Sequence, residues 1–224
     1  LPNGASSSAA AIWAILRKEC RSEWRTRYGI SAALLFAVTT LTTVSFAVGR
    51  LPDRGDVLAA LLWIVLLFAS LASLSHAFVH EVEGRTLTLL RLVASPTAIA
   101  LGKLLFNFLF LAVLEIVTVP LFLILMGAPS PRWGSFLLLL ALGSAALAAS
   151  STLVGALIAQ TRGRGALFAA VSLPLLLPVL AAAVVGTRAQ WAGGSIAAPA
   201  RLLAAYGLAV LAVSLLLYDQ LWEE

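Results

Sequence analysis

Glu115 is the residue hardest to explain as packing. It falls near the middle of the apolar run Ala98–Met126, where an acid is expensive unless it is paired, neutral or hydrated. Asn107, two turns earlier, lies close to the same helix face. Two readings stand side by side: a coupling or substrate-path residue, or a neutral carboxyl hydrogen-bonded between helices. No Lys or Arg lies at similar depth in another apolar run, so an ion pair is not expected, and Asn107, Ser144, Ser150 and Ser151 are the candidate partners. His76 and His80 share a helix face at i, i+4, a spacing a metal or haem iron could use. No third ligand is nearby, so they read as ordinary histidines at a polar helix end, and no metal site is assigned.

The other chemically suggestive segment is the polar loop Val79–Thr97, with His80, Glu81, Glu83, Arg85 and Arg91. Its charges precede the apolar two-turn stretch Leu87–Leu92. A short amphipathic helix at the base of a bundle needs a surface to cover its apolar face, so the loop is expected to dock a partner. No nucleotide-binding motif accompanies it. Gly102-Lys103 resembles the end of a phosphate-binding loop, but Thr97 replaces the first Gly and Leu104 the needed Ser or Thr. HExxH, paired cysteines and a nucleophile elbow are also missing, so no catalytic residue is assigned and the chain is not expected to be a P-loop ATPase itself.

The elements that carry these residues are six apolar runs: Ile30–Val48, Val57–Phe78, Ala98–Met126, Gly134–Ala159, Ala166–Gly186 and Leu202–Leu221. Each is long enough to cross ~30 Å of hydrocarbon as a helix. They are continuous rather than alternating, which excludes barrel strands. The 224 residues are 61% hydrophobic and 11% charged, with mean hydropathy +1.01, too little charge for a soluble surface. The net charge of +5 does not imply nucleic acid, because the basic residues are scattered and form no phosphate track. They set orientation instead. Arg17, Lys18, Arg21, Arg25, Arg27, Arg85, Arg91, Lys103, Arg162 and Arg164 lie on one side, and Arg50, Arg54, Arg132, Arg188 and Arg201 on the other. Both termini are therefore expected in the cytoplasm, where the single cysteine, Cys20, would stay reduced.

Three units are expected along the chain: a flexible segment 1–11, an amphipathic interfacial helix 12–28, and a permease domain 29–224 with its loop at 79–97. No cleavable signal peptide is expected. In Ile12–Tyr28, the residues Ile12, Leu16, Cys20 and Trp24 recur every four positions, Trp13 lies beside them, and Glu23 is spaced to pair with Arg27. Ser95-Pro96 and Ser130-Pro131 read as helix starts. Pro174 and Pro178 should kink the fifth run. Gly143, Ser144, Ser150, Ser151 and Gly155 should let a neighbouring helix approach closely. Thr187–Arg201 reads as a long outer loop. No internal repeat is evident, which disfavours an inverted-repeat secondary transporter.

Glu83-Gly84-Arg85-Thr86-Leu87, followed by Leu89-Leu90, Pro96 and Gly102-Lys103, resembles the loop of the haem exporter B (CcmB) family. Arg162-Gly163, Leu173-Pro174-Leu175 and Pro178 strengthen the likeness, which covers about residues 12–221. Glu83 stands where Asp is expected, and Thr88 where an acid is frequent. The resemblance implies an all-α integral membrane protein with an ABC-2-type exporter permease fold: six transmembrane helices preceded by an interfacial helix, in a bacterial inner membrane. It implies that Glu81, Glu83, Gly84, Arg85, Thr86, Leu87 and Leu90 couple to a cytoplasmic ATP-binding-cassette ATPase, which would carry ATP-Mg. The other implied partners are a haem-handling membrane subunit, a small one-helix subunit, a periplasmic haem chaperone and a second copy of the chain. Haem would be handled by the complex, with no cofactor assigned to this chain. Export of a lipid or drug on the same architecture, and a non-transporting scaffold for the haem-handling complex, are the alternatives.

Overall fold

Long apolar runs broken by short Gly- and Pro-containing turns fold into helices, with no strand among the described residues. The structure is a computed structural model that describes the backbone of residues 4–83, 95–159 and 164–220. Within these it describes the side chains except at 4–8, 70, 72–83, 96, 155–159, 164–172 and 218–220. The helices are α1 (Gly4–Thr26), α2 (Tyr28–Val48), α3 (Gly55–Glu83), α4 (Pro96–Met126), α5 (Trp133–Ala159), α6 (Arg164–Trp191) and α7 (Ala197–Gln220).

Among the described residues, five helices contain stretches long and apolar enough to cross a membrane: Tyr28–Val48, Thr97–Met126, Trp133–Val154, Leu173–Trp191 and Ala197–Leu217. The second expected run falls on α3, whose described apolar part is Gly55–Ala69. α5 is the most buried of the five and packs against α4, α6 and α7. Trp63, Leu114, Phe122, Met126, Phe136, Leu139 and Leu147 fill the core. Leu35, Phe46, Ile116, Ile124, Leu208 and Leu216 face outwards, which is stable only in an apolar solvent.

At the end where α2 meets α3 and α4 meets α5, backbone and side chains are tied together. Gly127, at φ 65, ends α4 with its N–H on the Leu123 carbonyl. The Leu51 N–H donates to the Met126 carbonyl at 3.0 Å, and the Ser45 hydroxyl to that of Leu125 at 3.3 Å. Arg132 donates to the Gly194 carbonyl at 2.8 Å, and Phe136 stacks on Trp191 with centroids 6.2 Å apart.

Several boundaries differ from the sequence reading. α1 begins at Gly4, so its helical backbone runs through Gly4–Ala11. α1 stops at Thr26, because Arg27 takes a left-handed conformation at φ 52. Glu23 does not pair with Arg27. Its carboxylate accepts the Ile30 N–H at 2.8 Å, capping the first turn of α2, while the Arg27 guanidinium lies over the Trp24 ring at 5.5 Å. Val79–Glu83, read as loop, continues α3. Ser95 caps α4 as expected, accepting the Ala98 N–H at 3.4 Å, with Pro96 following. α5 starts at Trp133, past Ser130-Pro131, with the Arg132 carbonyl accepting from Phe136. The long outer loop shrinks, because α6 runs on to Trp191 and α7 starts at Ala197. Gly193, at φ 76, and the Gly194 N–H on the Ala189 carbonyl at 2.7 Å end α6. α6 stays continuous through Pro174 and Pro178, and α4 contains a further internal proline, Pro120.

Candidate functional site

The polar residues inside the bundle concentrate where α4 and α5 face each other. Asn107 and Glu115 are both on the side of α4 turned to α5. The Ser144 hydroxyl of α5 donates to the Glu115 carboxyl. The Asn107 amide donates to Ser151 at 3.4 Å and to Thr152 at 3.1 Å. Eight residues along α4, from 107 to 115, are thus matched by seven or eight back along α5, from 151 or 152 to 144. Two antiparallel helices in register meet this way, the polar contacts lying about 12 Å apart at 1.5 Å per residue.

Of the expected partners of Glu115, the structure selects Ser144. It does not join Asn107 to Glu115, since Asn107 has its own hydroxyl pair. Thr152 was not anticipated, although its position beside Ser151 is visible in the sequence. Interhelical hydrogen bonds of this kind contribute about 0.6–2 kcal/mol each in a membrane. Thr118, on the same side of α4, and Ser150 of α5 are buried with hydroxyls that find no partner among the described residues. The α4–α5 seam therefore keeps polar capacity beyond the pairs that hold it together.

Two contacts fix the helices beside this seam. The Trp63 ring of α3 is fully buried over Gly143, one residue before Ser144, and its Nε1–H donates to the Thr187 hydroxyl of α6 at 2.9 Å. This joins α3, α5 and α6 at one point. At the other end of α4, Ile15 of α1, 5% exposed, packs on Ala98, Ile99 and Ala100. Gly102 makes room for it, because a Cβ there would lie 2.7 Å from the Ile15 Cγ2. α1 is thereby seated on the first turns of α4, directly after the Ser95 cap.

The expected coupling residues Gly84, Arg85, Thr86, Leu87 and Leu90 lie outside the described residues. Glu81 and Glu83 are placed on the last turn of α3 by backbone alone. The side chains of His76 and His80 are likewise outside the described set. Among the described residues, no group of three His, Cys, Asp or Glu is arranged to hold a metal ion. Pro174 and Pro178 lie within α6, both exposed. Next to them the Leu175 carbonyl accepts the Tyr206 hydroxyl of α7 at 2.6 Å.

Apolar spans joined by short turns, lipid-compatible outer faces and a hydrogen-bonded polar seam define a multi-pass, all-helical membrane protein. Comparison with known proteins narrows the class. The family model described as "CcmB protein" matches residues 10–218, so the chain belongs to that family. It is 32% identical over 209 residues to the Heme exporter protein B of Bradyrhizobium diazoefficiens, covering 91% of this chain and 93% of that relative. It is 30% identical to the protein of the same name in Paracoccus denitrificans, covering 90% and 93%. For the one in Rhodobacter capsulatus the identity is 29%, covering 89% and 93%.

Proposed function

We propose that this chain is the transmembrane permease subunit of an ATP-binding-cassette complex for c-type cytochrome biogenesis, in a bacterial inner membrane. In this reading α2–α7 are six membrane spans with an ABC-2-type arrangement, and residues 79–97 receive the motion of a cytoplasmic ATPase. That motion drives haem delivery, or release of a haem-loaded periplasmic chaperone, by a complex that also holds a haem-handling membrane subunit and a small one-helix subunit. The chain itself is non-catalytic, and ATP-Mg sits on the partner. The observation that carries the reading is membership of the CcmB protein family over residues 10–218, with relatives named Heme exporter protein B aligned over nearly their whole length. The placement of the helices supports it physically: α3 and α4 flank the coupling segment, and α4 carries the polar seam.

The reading is tested by purifying the tagged chain in mild detergent and identifying the co-purifying chains by mass spectrometry. An ATP-binding-cassette ATPase together with a haem-handling membrane protein is the expected set. Recovery of a drug- or lipid-export operon partner in their place would refute the haem assignment.

Orientation is tested at Cys20. Partial burial, and then the negative charge of Glu19, push this thiol above its ordinary value, so thiolate is scarce at neutral pH and labelling should accelerate as pH rises. An impermeant maleimide should fail to label Cys20 from outside intact cells and should label it in inverted membranes. Ready labelling from outside would place α1 on the wrong face.

At the polar seam, Glu115→Gln retains an acceptor for Ser144, so the variant should assemble and remain substantially active. Glu115→Leu removes that acceptor and should lower stability by about 1–2 kcal/mol, measured as a drop in the melting temperature of the purified complex. A Gln variant that assembles normally but is inactive would show that charge or proton exchange at Glu115 is required.

A further inference from the structure

Viewed down its axis, α1 presents three faces. Ile12, Ile15 and Leu16 turn towards the bundle. Trp13 and Trp24 lie on another side. Their spacing of eleven residues (24 − 13 = 11) is three turns plus about 20°, so the two indoles lie almost in line. They are 65% and 76% exposed. Arg17, Arg21 and Arg25, all exposed, fan out from this line to one side, at about 40°, 80° and 120° from Trp13. Lys18 is paired with Glu19 at 2.9 Å, whereas none of these three arginines is in an ion pair with another described residue. The helix contacts the start of α4 and Leu215 near the end of α7, and continues into the start of α2. It therefore sits where the spans leave the hydrocarbon. Indoles favour that boundary, and guanidinium groups there bind phosphate oxygens in a forked geometry.

We propose that the exposed face of α1 is a binding surface for anionic phospholipid. Arg17, Arg21 and Arg25 engage the headgroup phosphates, and Trp13 and Trp24 lie at the boundary with the acyl chains. On the opposite side of the same helix Ile15 is wedged over Gly102. Lipid held on α1 is thus held against the first turns of α4, immediately after the segment proposed to meet the ATPase.

The test uses the full chain, with its co-purifying subunits, in phosphatidylcholine nanodiscs doped with brominated phosphatidylglycerol or brominated phosphatidylcholine. The signal of Trp13 and Trp24 is the fluorescence lost in a Trp13→Phe/Trp24→Phe variant. Brominated phosphatidylglycerol is expected to quench that signal at about fivefold lower mole fraction than brominated phosphatidylcholine. In an Arg17→Gln/Arg21→Gln/Arg25→Gln variant the two lipids should quench within about twofold of each other. Equal quenching in the wild-type protein, or a preference that survives the triple substitution, would overturn the proposal. So would failure of both lipids to quench, which would mean that another protein covers this face. Should the triple variant fail to assemble, the wild-type comparison alone decides.

Discussion

Gly143→Ala is expected to be among the most damaging single substitutions in the bundle. A Cβ at position 143 would collide with the outer edge of the benzo ring of Trp63, at its Cη2, Cζ3 and Cζ2 atoms. Trp63 is fully buried and anchored by its bond to Thr187, so the ring has nowhere to retreat without breaking that bond. Overpacking usually costs about 1–3 kcal/mol. Losing a buried hydrogen bond adds about 1 kcal/mol, so the combined effect should lower the melting temperature of the purified complex strongly. Gly134→Ala is the control, because a Cβ there meets nothing within 4 Å, and it should be nearly neutral. Trp63→Phe removes the overlapping atoms, at the cost of leaving the Thr187 hydroxyl unpaired. The double variant should therefore be more stable than Gly143→Ala alone, a coupling that a double-mutant cycle reads directly. A wild-type melting temperature for Gly143→Ala would show that α3 and α5 are not in close contact here.

The parts of this architecture that are legible in sequence depend on strong local signals. Apolar run length locates the spans. Ser95 followed by Pro96 marks the start of α4 because the cap is a local interaction. Thr187–Trp191 reads as loop in the sequence because Arg188 and Gln190 are polar, yet it is the end of α6. Nothing in these residues breaks a helix, however, and the turn comes only at Gly193 and Gly194. In α1, a strict spacing of four advances 400° per step, which drifts 40° each time. The stripe Ile12, Leu16, Cys20, Trp24 has therefore turned about 120° by its end, which is why Ile12 packs inwards while Trp24 is exposed. Ile15, off that stripe, is the residue that seats the helix.

At the polar seam, the sequence identified Glu115 and Asn107 as out of place in an apolar run and identified α5 as the source of hydroxyl groups. Which hydroxyl meets which group depends on the register of two antiparallel helices, and no short-range signal encodes that. The joining of α3 to α6 through Trp63 and Thr187 is likewise a contact between residues 124 positions apart. Small residues around Gly143 showed that a helix could come close, but not which one.

In the proposed function, residues 79–97 transmit ATPase motion to the bundle. Reversing three charges there, as Glu81→Lys/Glu83→Lys/Arg85→Glu, tests it most directly, with ATP hydrolysis measured in the purified complex. Like charges brought together across a contact cost several kcal/mol, whereas the buried core of α4, α5 and α6 is untouched. The variant chain should keep the wild-type melting temperature while ATPase docking weakens or its stimulated hydrolysis falls by about tenfold or more. If the triple reversal leaves both complex assembly and stimulated hydrolysis unchanged, coupling does not pass through this segment.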